Sequence, residues 1–446
     1  MSKFSGKLVL AQWALNQLGI EDFSRLSELL RAPEHEGWAG DGSSRFLSQL
    51  INYLPSFGSQ GRTVSDDQFR SYDNNIVAHW KHITRRRNLS GSTLYPLYFQ
   101  YLGLLLTEIY LDRYFGDASA LLSSVNARLA SVNEQLNARN QIEAFRQGDL
   151  NKAAFWMATG SGKTLLMHCH IRQYLHYLGK AGRRHELNRI ILLTPNEGLS
   201  RQHKEEFELS GIEAEYYDKD GATLFTGRGV DIIDIHKLRE TSGEKTVAVE
   251  TFEGNNLVLV DEGHRGSGGE DWLDKRARLC ASGFSFEYSA TFGQAVKAAT
   301  GVKQKALTQM YAKCILFDYS YKYFYDDGYG KDFNILNLAD EHEDETRPLY
   351  LTACLLSFYQ QCRRFADGGP TLAPYLLESP LMVFVGGSVT GQRQVQEDTD
   401  LVLILKFLAS FIANRSESER RIKRLLERRD GLIAGGQRIF DRFFPY

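Results

Sequence analysis

The chain has 446 residues, 43% of them hydrophobic, enough to bury more than one core, and its length suggests about two to four domains. Its 53 basic and 55 acidic side chains give a formal net charge of -2, which excludes a global pull toward nucleic acid or anionic lipid and leaves such binding to local patches. Five cysteines (Cys169, Cys280, Cys314, Cys354, Cys362), odd in number and without a C-x-x-C pair, argue against a disulfide framework and a zinc site and fit a reducing cytoplasm.

The N-terminal stretch "MSKFSGKLVLAQWALNQLGIEDF" lacks a sustained apolar core before a small-residue cleavage site. The best apolar runs, "YLGLLLTEIYL" and "LVLILKFLASFIA", are short or broken by Lys406, so neither a signal peptide nor a membrane span is expected. Residues 1 to about 130 show helical periodicity, in "AQWALNQLGI", "FSRLSELLRA", "STLYPLYFQYLGLLLTEIYLDRYF" and "ASALLSSVNARLASVNEQLNARNQIEAF". Between about 34 and 75 the chain is rich in Gly, Ser and Asp, which predicts loops between helices. From about 150 the texture changes to short apolar strands alternating with helices: "AAFWMAT", "RIILLTP", "VDIIDI", "NLVLVDE", "FSFEYSAT". That alternation predicts a parallel sheet covered by helices on both faces. A second strand series is expected after 300, in "KCILFDYSY", "FNILNLA" and "LMVFVGG", and the remainder reads as helical to the end.

The turn "ATGSGKT" follows the strand "AAFWM" and opens a helix. Gly160 and Gly162 let successive N–H groups point inward around Thr159 and Ser161, and the helix offers its positive N-terminal end. Lys163 places a cation on the β and γ phosphates, and Thr164 supplies a hydroxyl for Mg²⁺. The general pattern has Gly where Met157 stands, and the bland alternative is a glycine turn with an exposed lysine. Further on, Leu257 to Val260 form an apolar strand ending in Asp261 and Glu262. A carboxylate there lies beside the phosphate loop of a neighbouring strand, where Asp261 can hold Mg²⁺ through water and Glu262 can deprotonate the attacking water. Ser289 and Thr291, in the "SAT" after "FSFEY", can bond to the turn from Asp261 to His264 and sense the γ phosphate.

The order "MATGSGKT", "TPNEGLSRQH", "DEGH", "SATFG", "VFVGGS" resembles the motor of superfamily 2 helicases and translocases, DEAD/DEAH-type. The Gly between Glu262 and His264, with the run "DEGHRGSGGEDW", is most similar to the branch containing the restriction subunits of type III restriction enzymes, many of them bacterial and associated with phage defence. The resemblance implies a nucleic-acid motor powered by ATP and Mg²⁺, with Lys163, Asp261, Glu262 and His264 as catalytic residues and Gln141 reading the adenine edge. It also implies that Thr194, Pro195, Asn196 and Gln202 contact the backbone of the tracked strand, DNA being favoured over RNA, and that His264, Ser289 and Thr291 couple phosphate loss to grip. His236 and Lys237 offer a second backbone contact or a plain turn. Among basic clusters, "TRRR" (Thr84 to Arg87) is the best candidate for phosphate contact, whereas "ERRIKRLLERR" alternates charge like a solvated helix face. The aromatic run from Phe317 to Gly330 either stacks bases or packs as a strand between lobes.

The fold expectation is an α/β protein built on a RecA-like P-loop parallel sheet: a helical N-terminal region at 1–130, a first RecA-like ATP-binding lobe at 131–305 and an incomplete second lobe at 306–446. Residues 390–446 contain no "Q-x-x-G-R-x-x-R" segment, so an arginine against the γ phosphate is not in evidence and weak hydrolysis by this chain alone is expected. A truncated gene, or a partner subunit supplying nuclease or remaining motor motifs, would both explain this. The competing reading is a nucleotide-gated protein interaction module without motor activity. No membrane partner and a cytoplasmic location are expected.

Overall fold

The computed structural model describes residues 4–57, 62–89, 91–217, 229–239, 247–248, 252, 254–262, 278–330, 346–372, 377–385, 400–429, 432–434 and 437–438. They fall into two units, 1–331 and 332–446.

The first unit is built on a seven-stranded, wholly parallel sheet. Its strands are β1 (Lys152–Met157), β2 (Arg189–Thr194), β3 (Ala214–Tyr216), β4 (Val230–Asp234), β5 (Asn256–Asp261), β6 (Phe284–Ser289) and β7 (Ile315–Tyr319), in the spatial order β3-β4-β2-β5-β6-β1-β7. Parallel strands need crossovers, which bring helices to both faces. The central strands are accordingly buried throughout: Leu257 to Val260 is a continuous apolar run, whereas Phe284 to Ser289 alternates in Ser285, Glu287 and Ser289 and is buried all the same. This is the expected RecA-like α/β architecture.

Among the described residues six α-helices precede the sheet: α1 (Val9–Gln17), α2 (Phe23–Leu30), α3 (Arg45–Tyr53), α4 (Asp66–Thr84), α5 (Tyr98–Gly116) and α6 (Ala118–Glu134). Local chemistry sets their starts. Ser65 and Gln68 form a reciprocal capping box on α4, and Asp117 accepts from the N–H groups of Ser119 and Ala120 at the start of α6. The helices share one continuous core with the sheet. The central one is α5, in which every residue from Tyr98 to Leu111 is buried, which accounts for a run that reads apolar on all sides. It packs on α7 (Lys163–Lys180), the helix that leaves the first strand's turn, and a Cβ at Gly103 would stand 3.0 Å from Leu166 and 3.4 Å from Phe317. Among the described residues no helix is long and apolar enough to cross a membrane.

Among the described residues, the further α-helices of this unit are α8 (Glu197–Leu209), α9 (Phe292–Ala298), α10 (Gly301–Cys314) and α11 (Tyr321–Asp326). The strand expected in "KCILFDYSY" forms, but as β7, hydrogen-bonded to β1 at the edge of the same sheet. A boundary at 305 therefore falls inside the first unit. The second unit shows α12 (Thr346–Leu372), α13 (Asp400–Ala413), α14 (Arg415–Leu426) and a two-residue antiparallel pair, Ile433–Ala434 with Gln437–Arg438. "FNILNLA" lies outside the described residues, and residues 381–385 of "LMVFVGG" make no strand, with Val383 and Val385 exposed. On α14, Glu417 pairs with Arg420 and Arg421, the solvated charge face its alternation predicts.

Candidate nucleotide site

The phosphate loop leaves β1 at Met157 and enters α7 at Lys163. Two glycines make the turn possible: Gly160 has φ +86° and Gly162 φ +82°, the left-handed region in which a Cβ is strained. Ser161 closes the turn from inside, its Oγ donating to the Ala158 carbonyl at 2.7 Å, and Thr159 is exposed at the tip. Thr164 stands in the first turn of α7, half-buried. The Lys163 ammonium lies back on the loop, donating to the carbonyls of Met157 at 3.4 Å and Ala158 at 3.3 Å. Burial pushes it below the usual lysine range, and the carboxylates of Glu262 and Asp261 oppose that shift. A half-buried cation on a glycine turn at the start of a helix fits the phosphates of a nucleotide.

The acidic turn stands on the same sheet edge but not on the adjacent strand. β6 lies between β1 and β5, so Asp261 faces the loop across one intervening strand, a correction to the expected neighbouring placement. At that intervening strand's end, Trp156 Nε1 of β1 donates to the Ala290 carbonyl at 3.0 Å, tying the phosphate strand to the "SAT" turn. Ser289 is buried and its Oγ accepts from the Thr291 N–H at 3.0 Å. Asp261 is gripped from α8: His203 Nε2 donates to Oδ2 at 2.9 Å, while Oδ1 accepts from the Glu262 N–H at 3.0 Å. Glu262 itself holds φ +54° without being glycine, a conformation that costs on the order of 1–3 kcal/mol. His264 lies outside the described residues.

Residues 129–294 match the family model of the type III restriction enzyme, res subunit. They carry a helicase superfamily 2 type domain. No curated protein matches the chain. The helicase-type match spans the phosphate loop, the acidic turn and the "SAT" segment.

Other expected contacts of the helicase-type domain stand less openly. The Thr194 hydroxyl is buried at 1% exposure and pairs with Ser200 Oγ at 2.6 Å, and Pro195 is also buried. Asn196 caps α8, its Oδ1 accepting from the Leu199 N–H at 2.9 Å, and Gln202 is exposed one turn on. Lys237 pairs with Glu197 at 3.3 Å. Gln141 donates weakly to the Asn133 carbonyl at 3.3 Å, and its own carbonyl accepts from Gln309 at 2.9 Å. Gln309 lies within α10, the helix that leads into β7, so Gln141 is held against that helix. Arg86 and Arg87 of "TRRR" grip the C-terminal turn of α8: Arg86 donates to the Glu208 carbonyl, and Arg87 pairs with Glu206 and donates to Ser210 Oγ at 2.8 Å. Those two arginines act in protein packing.

Two residues of this site escape the sequence reading. His203 shares a stripe with Ser200 and Phe207, all buried on α8, so its helical spacing marks a side chain turned to the sheet. Gln100 is a polar residue inside the apolar run of α5. Its Nε2 donates to the Ser161 carbonyl at 3.0 Å, and its Oε1 accepts from the Leu97 N–H at 2.9 Å.

Proposed function

We propose that this chain is the ATP-hydrolysing part of a superfamily 2 nucleic-acid translocase, within a bacterial restriction or phage-defence machine that acts on DNA in the cytoplasm. The observation that carries the proposal is the Lys163 ammonium on its loop carbonyls with the Asp261 and Glu262 carboxylates as its electrostatic neighbours. Such a pairing of cradle and acid suits phosphoryl transfer to water.

In this reading the N–H groups of residues 159 to 164 bind the phosphates and Lys163 swings from its two carbonyls onto the β and γ oxygens. Thr164 and Asp261 would hold the magnesium ion, which when bound neutralises phosphate charge. Glu262 orients water and accepts its proton as the γ phosphoryl group leaves ADP. Ser289 and Thr291 then relay loss of the phosphate to the strand-gripping surface around Asn196 and Gln202. Turnover is expected to be weak for this chain by itself, because its sequence holds no "Q-x-x-G-R-x-x-R" arginine segment.

Paired variants test it. Lys163→Ala should abolish the heat of Mg-ATP binding, whereas Glu262→Gln should keep that binding, lose hydrolysis and retain single-stranded DNA when ATP is present. If Glu262→Gln alters only the capture of a partner protein and DNA is never retained, the chain is a nucleotide-gated interaction module instead.

A further inference from the structure

The nucleotide reading, on which this inference rests, sets a direction along the sheet edge. Lys163 feels the carboxylates of the β5 end, so the γ phosphate and its metal face that way. The nucleoside must then trail toward the other flank of β1, which is β7. The Ala158 N–H donates to the Tyr319 carbonyl at 3.0 Å, so the phosphate loop and the end of β7 leave the sheet together. Just beyond, α11 brings Phe324 against the loop: its Cζ is 3.8 Å from where a Cβ would stand on Gly160.

We propose that Phe324 and Tyr329 form the platform on which the base of a bound nucleoside triphosphate stacks. The two rings are 5.5 Å apart and inclined by 32°. They are held as a unit, since the Phe324 carbonyl accepts from the N–H groups of both Tyr329 and Gly330 at 3.1 Å. Beneath them, Tyr319 meets Phe324 edge-on at 6.2 Å and Phe99 meets Tyr329 edge-on at 5.8 Å. Asp327 fixes this floor by accepting from Tyr319 at 2.6 Å and from Tyr98. Yet Tyr329 remains 41% exposed, beside a loop whose own side chains offer nothing flat. A pre-positioned aromatic face suits a purine ring and loses little freedom on binding. The platform occupies the flank of β1 toward which the nucleoside must trail.

The test compares Mg-ATP with Mg-tripolyphosphate, which shares the phosphates and lacks the base, by calorimetry on the full chain. Phe324→Leu keeps an apolar contact for Gly160 and Tyr319 while removing the π face, and Tyr329→Leu is the second variant, each checked by its thermal melt. Wild type should bind ATP more tightly than tripolyphosphate, and either folded variant should weaken ATP about tenfold while leaving tripolyphosphate unchanged. Equal weakening of both ligands, or unchanged ATP affinity in both variants, overturns the platform but leaves the nucleotide reading standing. If wild type binds neither ligand, the nucleotide reading fails and the platform with it.

Discussion

The two flanks of Lys163 are built differently. On the loop side, Gly160 and Gly162 take the strained backbone angles at little steric cost, and neutral hydrogen bonds and rings press on them from α5 and α11. On the acidic side a non-glycine residue, Glu262, bears the left-handed angle, and the aspartate before it is steadied by one histidine from α8. Strain of about 1–3 kcal/mol at Glu262 exceeds the roughly 1 kcal/mol of a typical hydrogen bond. In the proposed reading the loop side binds the phosphates, and the acidic side, which bears the strained residue, is the one that rearranges when the occupant changes.

The largest effect should come from disturbing the braced side. In Gly162→Ala the new methyl would overlap the Gln100 amide as well as force φ +82°, and the two penalties together are roughly 2–4 kcal/mol. Gly160→Ala meets only an ordinary 3.8 Å contact with Phe324, so it should incur the backbone cost alone, about 1–2 kcal/mol. Chemical denaturation of the two variants separates the cases. Equal losses would mean that α5 does not brace the loop.

The acidic side should respond in turnover rather than in binding. His203→Leu removes the donor to Asp261 but keeps an apolar body against Phe207, so kcat should fall about tenfold or more, as for residues that orient a metal ligand, with little change in KM. His203→Gln, whose amide can still donate, should restore much of the rate. A loss confined to KM, or no rescue, would assign His203 to packing only.

The uneven legibility of these flanks follows from what each residue does. Gly160, Gly162 and Lys163 announce themselves because few residue types suit a tight turn or a phosphate. The strand patterns are legible too, since burial on both faces demands continuous apolar runs such as Leu257 to Val260. Gln100 and His203 are hidden because they act at a distance in sequence, and only tertiary packing brings them to the loop and to Asp261. The same cause misassigns β7: its apolar run marks a strand, but nothing local says which sheet it joins.

The most remote effect tests whether the helical layer tunes stability without touching the site. Glu108, fully buried in α5, accepts from Tyr177 at 2.7 Å, Gln173 at 2.7 Å and Asn75 at 3.0 Å, which links α4, α5 and α7. Burial is the leading cause that raises its pKa from 4.5 to about 7, despite the three donors. A carboxyl with a raised folded pKa contributes stability that is fully present below about 4.5 and is lost as pH rises through about 7, here at most roughly 3 kcal/mol. Glu108→Gln cannot ionise, so it escapes that loss, although its amide suits the three donors less well at every pH. The melting temperature of the variant minus that of wild type should therefore become more positive between pH 5 and pH 8, with ATP affinity unchanged. A flat difference would mean that the three donors keep Glu108 ionised in the folded chain as it is in water.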